Sequence, residues 1–177
     1  MKESIIAQLI GIEGAYGDDP ADAGGPTKYG VTEAAARAFG YKGKMEDLPY
    51  GTAVDIYEDG FWKPLKLDAV GDFSYGLAER LFNVAVHCGP EAAAEWLQRC
   101  LNVLNRGERD YADVEADGVI GKKTLAALSE FASRRGTEGL GYLAKAVSCL
   151  QGAFYIELAE RRPTDEKFLN GWLRARL

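Results

Sequence analysis

At 177 residues the chain is long enough to bury a core of its own and suits one domain. Hydrophobic residues make up 47% of it and charged residues 27%, which is typical of a folded protein and excludes a disordered one. The formal net charge of −6 argues against a nucleic-acid partner, and three scattered cysteines argue against a disulfide framework or a structural zinc site. The N-terminal apolar run is too short and too mixed for a membrane span or a secretory signal, so we expect no stable membrane insertion.

The first predicted helix begins with Ser4 as its N-cap and runs to Glu13. Its apolar stripe consists of four residues at helical spacing: Ile5, Ile6, Leu9 and Ile10. We expect Glu13 to continue this stripe at the C-terminal end of the helix, where burial and the helix dipole both raise the pKa of a carboxyl group. A carboxyl group that stays protonated near neutral pH is suited to be a general acid. The alternative is a glutamate that turns outward at a frayed helix end.

A glycine- and aspartate-rich segment follows this helix, with the sequence GAYGDDPADAGGPTKYGVT. It contains three aspartates within nine residues of Glu13: Asp18, Asp19 and Asp22. Glycines allow the backbone to fold back, and paired carboxylates across a cleft are what glycoside hydrolysis requires. Thr27 adds a hydroxyl that could hold the attacking water. An acidic turn that only reverses the chain and, less favoured, a calcium loop are the alternatives.

The rest of the chain is predicted to be mostly helical. Thr32 is expected to cap a short helix that Gly40 ends. Later helices are predicted over YGLAERLFNVAV, EAAAEWLQRCLNVL, KKTLAALSEF, Leu140 to Glu160 and EKFLNGWLRARL. The turn-rich stretch between Asn105 and Gly121 is the only plausible boundary, and it divides residues 1–104 from residues 105–177. We expect both parts to pack into one globule.

The opening segment carries the pattern E-G-x-Y-x-x-D-P-x-D-x-G-G-x-T-x-x-G-V-T, beginning at Glu13. This pattern resembles the signature of glycoside hydrolase family 108, the N-acetylmuramidases of phage endolysins and bacterial prophages. Four later stretches resemble the same family in order: FWKPLKLDAV, LAERLFNVAVHCGPEAAAEWLQRCLN, DGVIGKKTLAAL and FLNGWLRARL. The last two resemble a C-terminal region described as predicted to bind peptidoglycan.

The resemblance implies a mainly α, lysozyme-like fold that can include a short β-ribbon near residues 16–31. It implies a muramidase segment over residues 1–104 and a peptidoglycan-binding segment over residues 105–177. Glu13 corresponds to the family's catalytic glutamate. Asp22 and Thr27 lie roughly where phage-type lysozymes have an aspartate and a threonine, and Asp19 is the alternative second carboxylate.

Candidate substrate contacts lie around the glycine-rich segment and in one later helix. Tyr16 and Tyr29 flank the segment, and sugar rings stack on aromatic faces, although a core position is the alternative for both. Asp19 and His87 complete the expected substrate-binding set. His87 stands where the family often has asparagine, and Ala15 replaces the second glycine of the family motif.

The expected activity is hydrolysis of the β-1,4 bond between N-acetylmuramic acid and N-acetylglucosamine in bacterial peptidoglycan, without a metal or an organic cofactor. Glu13 would protonate the leaving oxygen, and Asp22 would orient or deprotonate the water. The alternatives are a lytic transglycosylase acting on the same bond, a non-catalytic peptidoglycan-binding protein and, least favoured, a chitinase. We expect a monomer made in the cytoplasm without a signal peptide, which acts on the wall after holin-type release or dedicated export.

Overall fold

The structure is a computed structural model that describes residues 2–13, 16–17 and 25–176, with side chains described over residues 2–11, 16–17 and 25–174. The chain forms two compact units, Met1–Lys63 and Pro64–Leu177. Within the described residues, α-helices dominate and a single two-stranded antiparallel sheet is present. This architecture confirms the predicted fold class, a mainly α protein with a short β-ribbon.

The first unit contains three helices and the ribbon. In chain order its elements are α1 (Lys2–Glu13), β1 (Thr27–Lys28), β2 (Val31–Thr32), α2 (Glu33–Phe39), a 3-10 turn (Met45–Asp47), α3 (Tyr50–Tyr57) and a π-helical turn (Glu58–Trp62). The predicted apolar stripe of α1 is buried, with exposed fractions between 1% and 5%: Ile5, Ile6, Leu9 and Ile10. Helix α1 therefore contributes one full face to the core of this unit.

The predicted start of the first helix was wrong. Helix α1 begins at Lys2, so Ser4 lies inside its first turn and does not cap it. The Lys2 ammonium forms an ion pair with the Glu58 carboxylate at 2.9 Å, which ties the first residue of the helix to the π-helical turn. A contact between residues so far apart in the chain leaves no local signal in the sequence around Ser4.

Helix α2 has the two ends that the sequence predicted. The Thr32 hydroxyl oxygen accepts a hydrogen bond from the Ala35 amide at 3.2 Å, which satisfies one of the free amides at the helix start. Gly40 follows the last turn and donates its amide hydrogen to the carbonyl groups of that turn. Both ends depend on residues within the helix or next to it, which is why the sequence predicts them.

The β-ribbon joins β1 to β2 through a two-residue turn. Thr27 pairs with Thr32 and Lys28 with Val31, so Tyr29 and Gly30 form the turn. Both turn residues have positive φ, 57° at Tyr29 and 74° at Gly30, as the tightest hairpin turns require. Glycine adopts this conformation without steric cost, whereas a tyrosine there needs support from its surroundings.

The second unit is built around α5. Its helices are α4 (Leu67–Gly71), α5 (Tyr75–Cys88), α6 (Pro90–Leu104), α7 (Lys122–Arg161) and α8 (Glu166–Arg176), with a 3-10 turn at Pro163–Asp165 before the last. Helix α5 packs against α4, α6 and α7. The largest fully buried side chains between these helices include Leu77, Leu81, Phe82, Leu97, Leu101 and Ile120.

The element α7 consists of two helices that meet at a kink, as the sequence predicted. Between Lys122 and Arg161 the one residue with non-helical backbone angles is Gly136, with φ 62° and ψ −163°. Both helices extend closer to each other than predicted, because no loop beyond Gly136 separates them. In the described part of the chain, α7 included, no helix combines the length and the apolar character needed to cross a membrane.

Candidate active site

The first candidate residue, Glu13, is the last residue of α1. The helix positions four and three residues before it hold Leu9 and Ile10, which are only 5% and 3% exposed. The side chain of Glu13 lies outside the described part of the structure, so its expected orientation stays a prediction. The end of the helix at this residue agrees with the sequence analysis.

Shortly after α1, two stretches of the backbone pair with each other. Gly17 and Thr27 exchange two backbone hydrogen bonds, at 2.9 Å and 2.8 Å, and form an antiparallel bridge next to β1. Gly17 lies four positions after Glu13, so at most about 14 Å of extended chain lies between the end of α1 and this bridge. The bridge therefore holds the backbone of Thr27 in the neighbourhood of the helix end.

Three of the sequence-predicted acids fall between the two bridged residues. Asp18, Asp19 and Asp22 lie outside the described residues. The roles of Asp22 as the second carboxylate, and of Asp19 as its alternative and as a substrate contact, stay predictions.

Thr27 presents its hydroxyl group next to a residue without a side chain. A Cβ atom built on Gly17 would lie 3.4 Å from the Thr27 hydroxyl oxygen. The Thr27 side chain is half-buried. A side chain at position 17 would contact this hydroxyl group.

Tyr29 is held at both its backbone and its ring. The buried Tyr57 hydroxyl donates a hydrogen bond to the Tyr29 carbonyl oxygen at 2.9 Å, which supports the positive φ of the turn. The Tyr29 ring meets the Tyr50 ring edge-on, with centroids 5.7 Å apart, and the Lys28 ammonium lies 5.2 Å from the Tyr29 ring centre. The ring is therefore positioned beside the ribbon, with a cation over one face.

The remaining substrate candidates lie in different parts of the chain. Tyr16 directly precedes the bridge, and its side chain is 44% exposed, which leaves part of the ring accessible. His87 is half-buried in the last turn of α5, in the second unit. The structure thus places Thr27 and Tyr29 in one ribbon. Tyr16 lies one residue before Gly17, which forms the bridge to Thr27. The contribution of His87 stays a prediction.

The sequence analysis missed two residues that shape this region. Gly17 forms the bridge, and Tyr57 fixes the turn from α3, at a distance of 28 residues from Tyr29. The available signal for Tyr57 was a tyrosine in an apolar stretch, since a buried tyrosine hydroxyl usually finds a hydrogen-bond partner. Glycine was abundant throughout the segment, so nothing marked Gly17 as distinct.

A second irregular segment, residues 105–121, joins α6 to α7 and is held by three amide side chains. We call Gln98, Asn102 and Asn105 the amide row, because they follow one another along one side of α6. Asn102 accepts from the Val114 amide at 2.9 Å and donates to the Val114 carbonyl at 2.8 Å. Asn105 donates to the Tyr111 carbonyl at 3.1 Å.

Gln98 is the most connected member of the amide row and is only 1% exposed. Its nitrogen donates to the Asp117 carboxylate at 2.8 Å, to the Val119 carbonyl at 3.0 Å and to the Thr124 hydroxyl at 3.2 Å. Its oxygen accepts from the Gly118 amide at 3.0 Å. The hydrogen bond from Gln98 is the main reason that the pKa of Asp117 lies below its usual value.

Asp110 is the charged anchor of the same segment. Its carboxylate accepts hydrogen bonds from the Arg106 guanidinium and lies 3.5 Å from the Arg135 guanidinium. The hydrogen bond from Arg106 lowers the pKa of Asp110, and the positive charges of Arg106 and Arg135 act in the same direction. Within the described part of the chain, no group of three or more histidine, cysteine, aspartate or glutamate side chains is placed to hold a metal ion.

Two family models match the chain, in the same order as the motifs described above. Residues 6–89 match the family model Glycosyl hydrolase 108, and residues 92–177 match the model Predicted Peptidoglycan domain. Among solved structures, SagA of Brucella abortus is similar with a TM-score of 0.66 and 25% sequence identity. That similarity covers 99% of this chain and 94% of SagA. The curated proteins contain no match.

Together with the mainly α fold, these matches define the class as a lysozyme-like glycoside hydrolase that acts on peptidoglycan. The chain consists of a Glycosyl hydrolase 108 segment followed by a predicted peptidoglycan domain, which confirms the family recognised from the motif beginning at Glu13. Peptidoglycan is accordingly its partner. The division predicted after residue 104 stays a prediction.

Proposed function

We propose that this protein is an N-acetylmuramidase that hydrolyses the β-1,4 bond between N-acetylmuramic acid and N-acetylglucosamine in peptidoglycan. One observation supports the proposal above the others. Helix α1 ends at Glu13, and the chain then returns to a bridge between Gly17 and Thr27, all inside the segment that matches Glycosyl hydrolase 108. A glutamate and a hydroxyl are thereby held close together in the chain on a fixed backbone.

In the proposed mechanism Glu13 is the general acid. It protonates the glycosidic oxygen as the bond to the leaving sugar breaks, while positive charge develops on the other sugar. A position at the C-terminal end of a helix favours the protonated carboxyl group, because the helix dipole places partial negative charge there. The burial of Leu9 and Ile10 on the preceding turn supports a low-polarity surrounding with the same effect.

The second carboxylate in this proposal is Asp22, with Asp19 as the alternative. It orients or deprotonates the attacking water, or stabilises the charged sugar, and Thr27 helps to hold the water by its hydroxyl. The backbone of Thr27 supports this role, since its bonds to Gly17 and Thr32 do not involve the side chain. The lack of a side chain at Gly17, whose Cβ position lies 3.4 Å from the Thr27 hydroxyl oxygen, is compatible with a water bound to that hydroxyl.

The decisive test is Glu13→Gln, assayed by the release of reducing sugar ends from purified cell walls. We expect the rate to fall by about a thousandfold, as the loss of a general acid predicts. Glu3→Gln is the matched control, because Glu3 is an exposed glutamate of the same helix. A folded Glu13→Gln protein that releases reducing ends at the parental rate would contradict the proposal.

The reaction products separate the proposed hydrolysis from its nearest alternatives. Hydrolysis leaves N-acetylmuramic acid with a free reducing end, whereas a lytic transglycosylase leaves a 1,6-anhydro ring, and the two differ in mass by one water. Mass spectrometry of the released fragments therefore distinguishes them. A protein that sediments with walls but releases no fragment would act only as a binding module.

The water-holding role is tested at Thr27 and the two aspartates. Thr27→Val keeps shape and removes the hydroxyl, so we expect slower hydrolysis with an unchanged melting temperature, and Thr27→Ser should restore most of the rate. Asp22→Asn and Asp19→Asn, assayed side by side, identify the second carboxylate as the one whose loss reduces the rate more.

A further inference from the structure

A cleft of about 380 Å³ opens in the second unit, between residues 111–114 and the first turns of α7. Every residue that lines it falls inside the stretch that matches the predicted peptidoglycan domain. One wall belongs to the long segment 105–121, and long irregular segments in compact proteins are usually functional. The cleft is therefore the first place to look for a wall-binding site in this domain.

The loop wall of the cleft, residues 111–114, is held in place by two members of the amide row, Asn102 and Asn105. Asn102 engages both backbone polar groups of Val114, and Asn105 donates to the Asp113 carboxylate at 2.6 Å. These bonds hold the wall in one conformation without any ligand. A site that is already formed loses less conformational entropy when a ligand binds.

The cleft has a small aliphatic floor and charged side chains of both signs around it. Val114, Ala126 and Ala127 provide small apolar surfaces. Lys123 contributes an exposed positive charge, and Asp113 and Glu130 contribute negative charges. A complementary ligand carries carboxylate groups, an amino group and small apolar side chains within a short length.

The aromatic residue of the cleft, Tyr111, is fixed in position, because it donates its hydroxyl to the Leu101 carbonyl of α6 at 2.8 Å. Its hydroxyl is therefore not offered to a ligand. Burial raises the pKa of Tyr111 to about 12, in agreement with an inward-directed hydroxyl. The alanine and valine floor instead suits the methyl groups of a peptide.

We infer that this cleft binds the short stem peptide of peptidoglycan, which contains alanines, free carboxylates and, at one position, an amino group. Lys123 pairs with a ligand carboxylate, and Glu130 or Asp113 pairs with the amino group. The inference rests on the proposed action on peptidoglycan and adds that the wall is held through its peptide while its glycan is cut.

The test measures calorimetric binding of a synthetic, sugar-free stem pentapeptide to the full chain. We expect Lys123→Glu to weaken binding about tenfold, a change of about 1.4 kcal/mol, because it replaces an attraction by a repulsion. Lys122→Glu is the matched control, since Lys122 is the neighbouring exposed lysine and does not line the cleft. Equal binding by the two variants, or no binding by the parent, would overturn the inference.

A second pair of variants fills the cleft instead of changing its charge. Ala126→Trp places a large ring in the cleft and should abolish peptide binding, whereas Ser129→Trp, on the same helix and outside the lining, should preserve it. A peptide-free N-acetylglucosamine oligomer is titrated as well. If Ala126→Trp blocked that oligomer and left the peptide bound, the cleft would be a glycan site and the inference would be wrong.

The two proposals fail separately. The peptide probe has no glycosidic bond, so its binding does not depend on Glu13. A parent protein that releases reducing ends from walls but does not bind the peptide keeps the proposed hydrolysis and loses the cleft. A parent that binds the peptide and releases no ends does the reverse.

Discussion

Two irregular segments, one in each unit, contain different kinds of anchors among their described residues. After α1 these include backbone anchors, the bridge of Gly17 with Thr27 and the pairing of β1 with β2. Residues 105–121 are fastened mainly through the side chains of the amide row and through Asp110. Backbone anchors survive most substitutions, whereas a side-chain anchor is lost with a single one.

This difference affects which substitutions each segment tolerates. A backbone-anchored segment can change its side chains while its path stays the same, which suits a region where the proposed catalytic groups are placed. A segment anchored by side chains depends on a few residues outside it. Substitutions in the amide row should therefore disturb residues 105–121 much more than substitutions of similar size disturb the ribbon.

The largest effect is expected for Gln98→Leu. The variant keeps the volume of the side chain but leaves its polar partners around Gly118 and Thr124 without their hydrogen bonds in a buried place. We expect a loss of about 3 kcal/mol in the free energy of unfolding. Urea denaturation measures it, with the exposed Gln8→Leu on α1 as the control. A loss no larger than in the control would contradict the anchoring role of the amide row.

The next effect concerns Gly118, which has φ 73° and lies close to α6. A Cβ atom at this position would lie 3.2 Å from the Glu91 carbonyl oxygen, so Gly118→Ala adds a steric contact to an unfavourable backbone conformation. We expect a loss of about 2 kcal/mol. Gly107→Ala separates the two causes, because Gly107 has φ 66° but no atom within 4 Å of its Cβ position. Equal losses at both positions would show that the close approach to Glu91 is unimportant.

A smaller effect is expected for Tyr57→Phe, which removes the side-chain hydrogen bond described above for the ribbon turn. The Tyr29 carbonyl loses its hydrogen bond from the buried hydroxyl, at a cost of about 1 kcal/mol. Hydrogen exchange of the amides of β1 and β2 should accelerate. Tyr41→Phe, which removes an exposed hydroxyl bond to the Lys44 carbonyl, is the control. Unchanged exchange in Tyr57→Phe would mean that backbone bonds alone hold the turn.

The smallest effect is a dependence of stability on pH at Asp110. Since Arg106 and Arg135 hold its pKa below the ordinary value of 3.8, the carboxylate stabilises the folded chain above that value. This contribution is lost as the pH falls through the lowered pKa. Asp110→Asn should therefore be less stable than the parent at pH 7, and the difference should shrink toward pH 2. A difference independent of pH would assign the loss to packing instead of charge.

Much of the fold was predictable because it depends on neighbours in the chain. The ends of α2 at Thr32 and Gly40, the buried stripe of α1 and its end at Glu13 all follow from capping and helical spacing within a few residues. The start of α1 at Lys2, which pairs with Glu58, was not predicted from the sequence around Ser4. The break between the two helices of α7 was predicted, because a glycine within a polar stretch ordinarily indicates a helix end, as it does at Gly136.

The candidate site likewise combines features that follow from neighbouring residues with features that depend on distant contacts. The sequence by itself determined the family signature and the helix that ends on Glu13, because these are local patterns of residue type and spacing, and the ribbon was expected from the family resemblance. Only the tertiary structure decided that Gly17 closes onto Thr27, that Tyr57 supports the turn at Tyr29, and that Asn102 holds one wall of a cleft. These contacts join residues 10 to 28 positions apart, and the energy that selects such partners depends on the packed geometry of the whole unit.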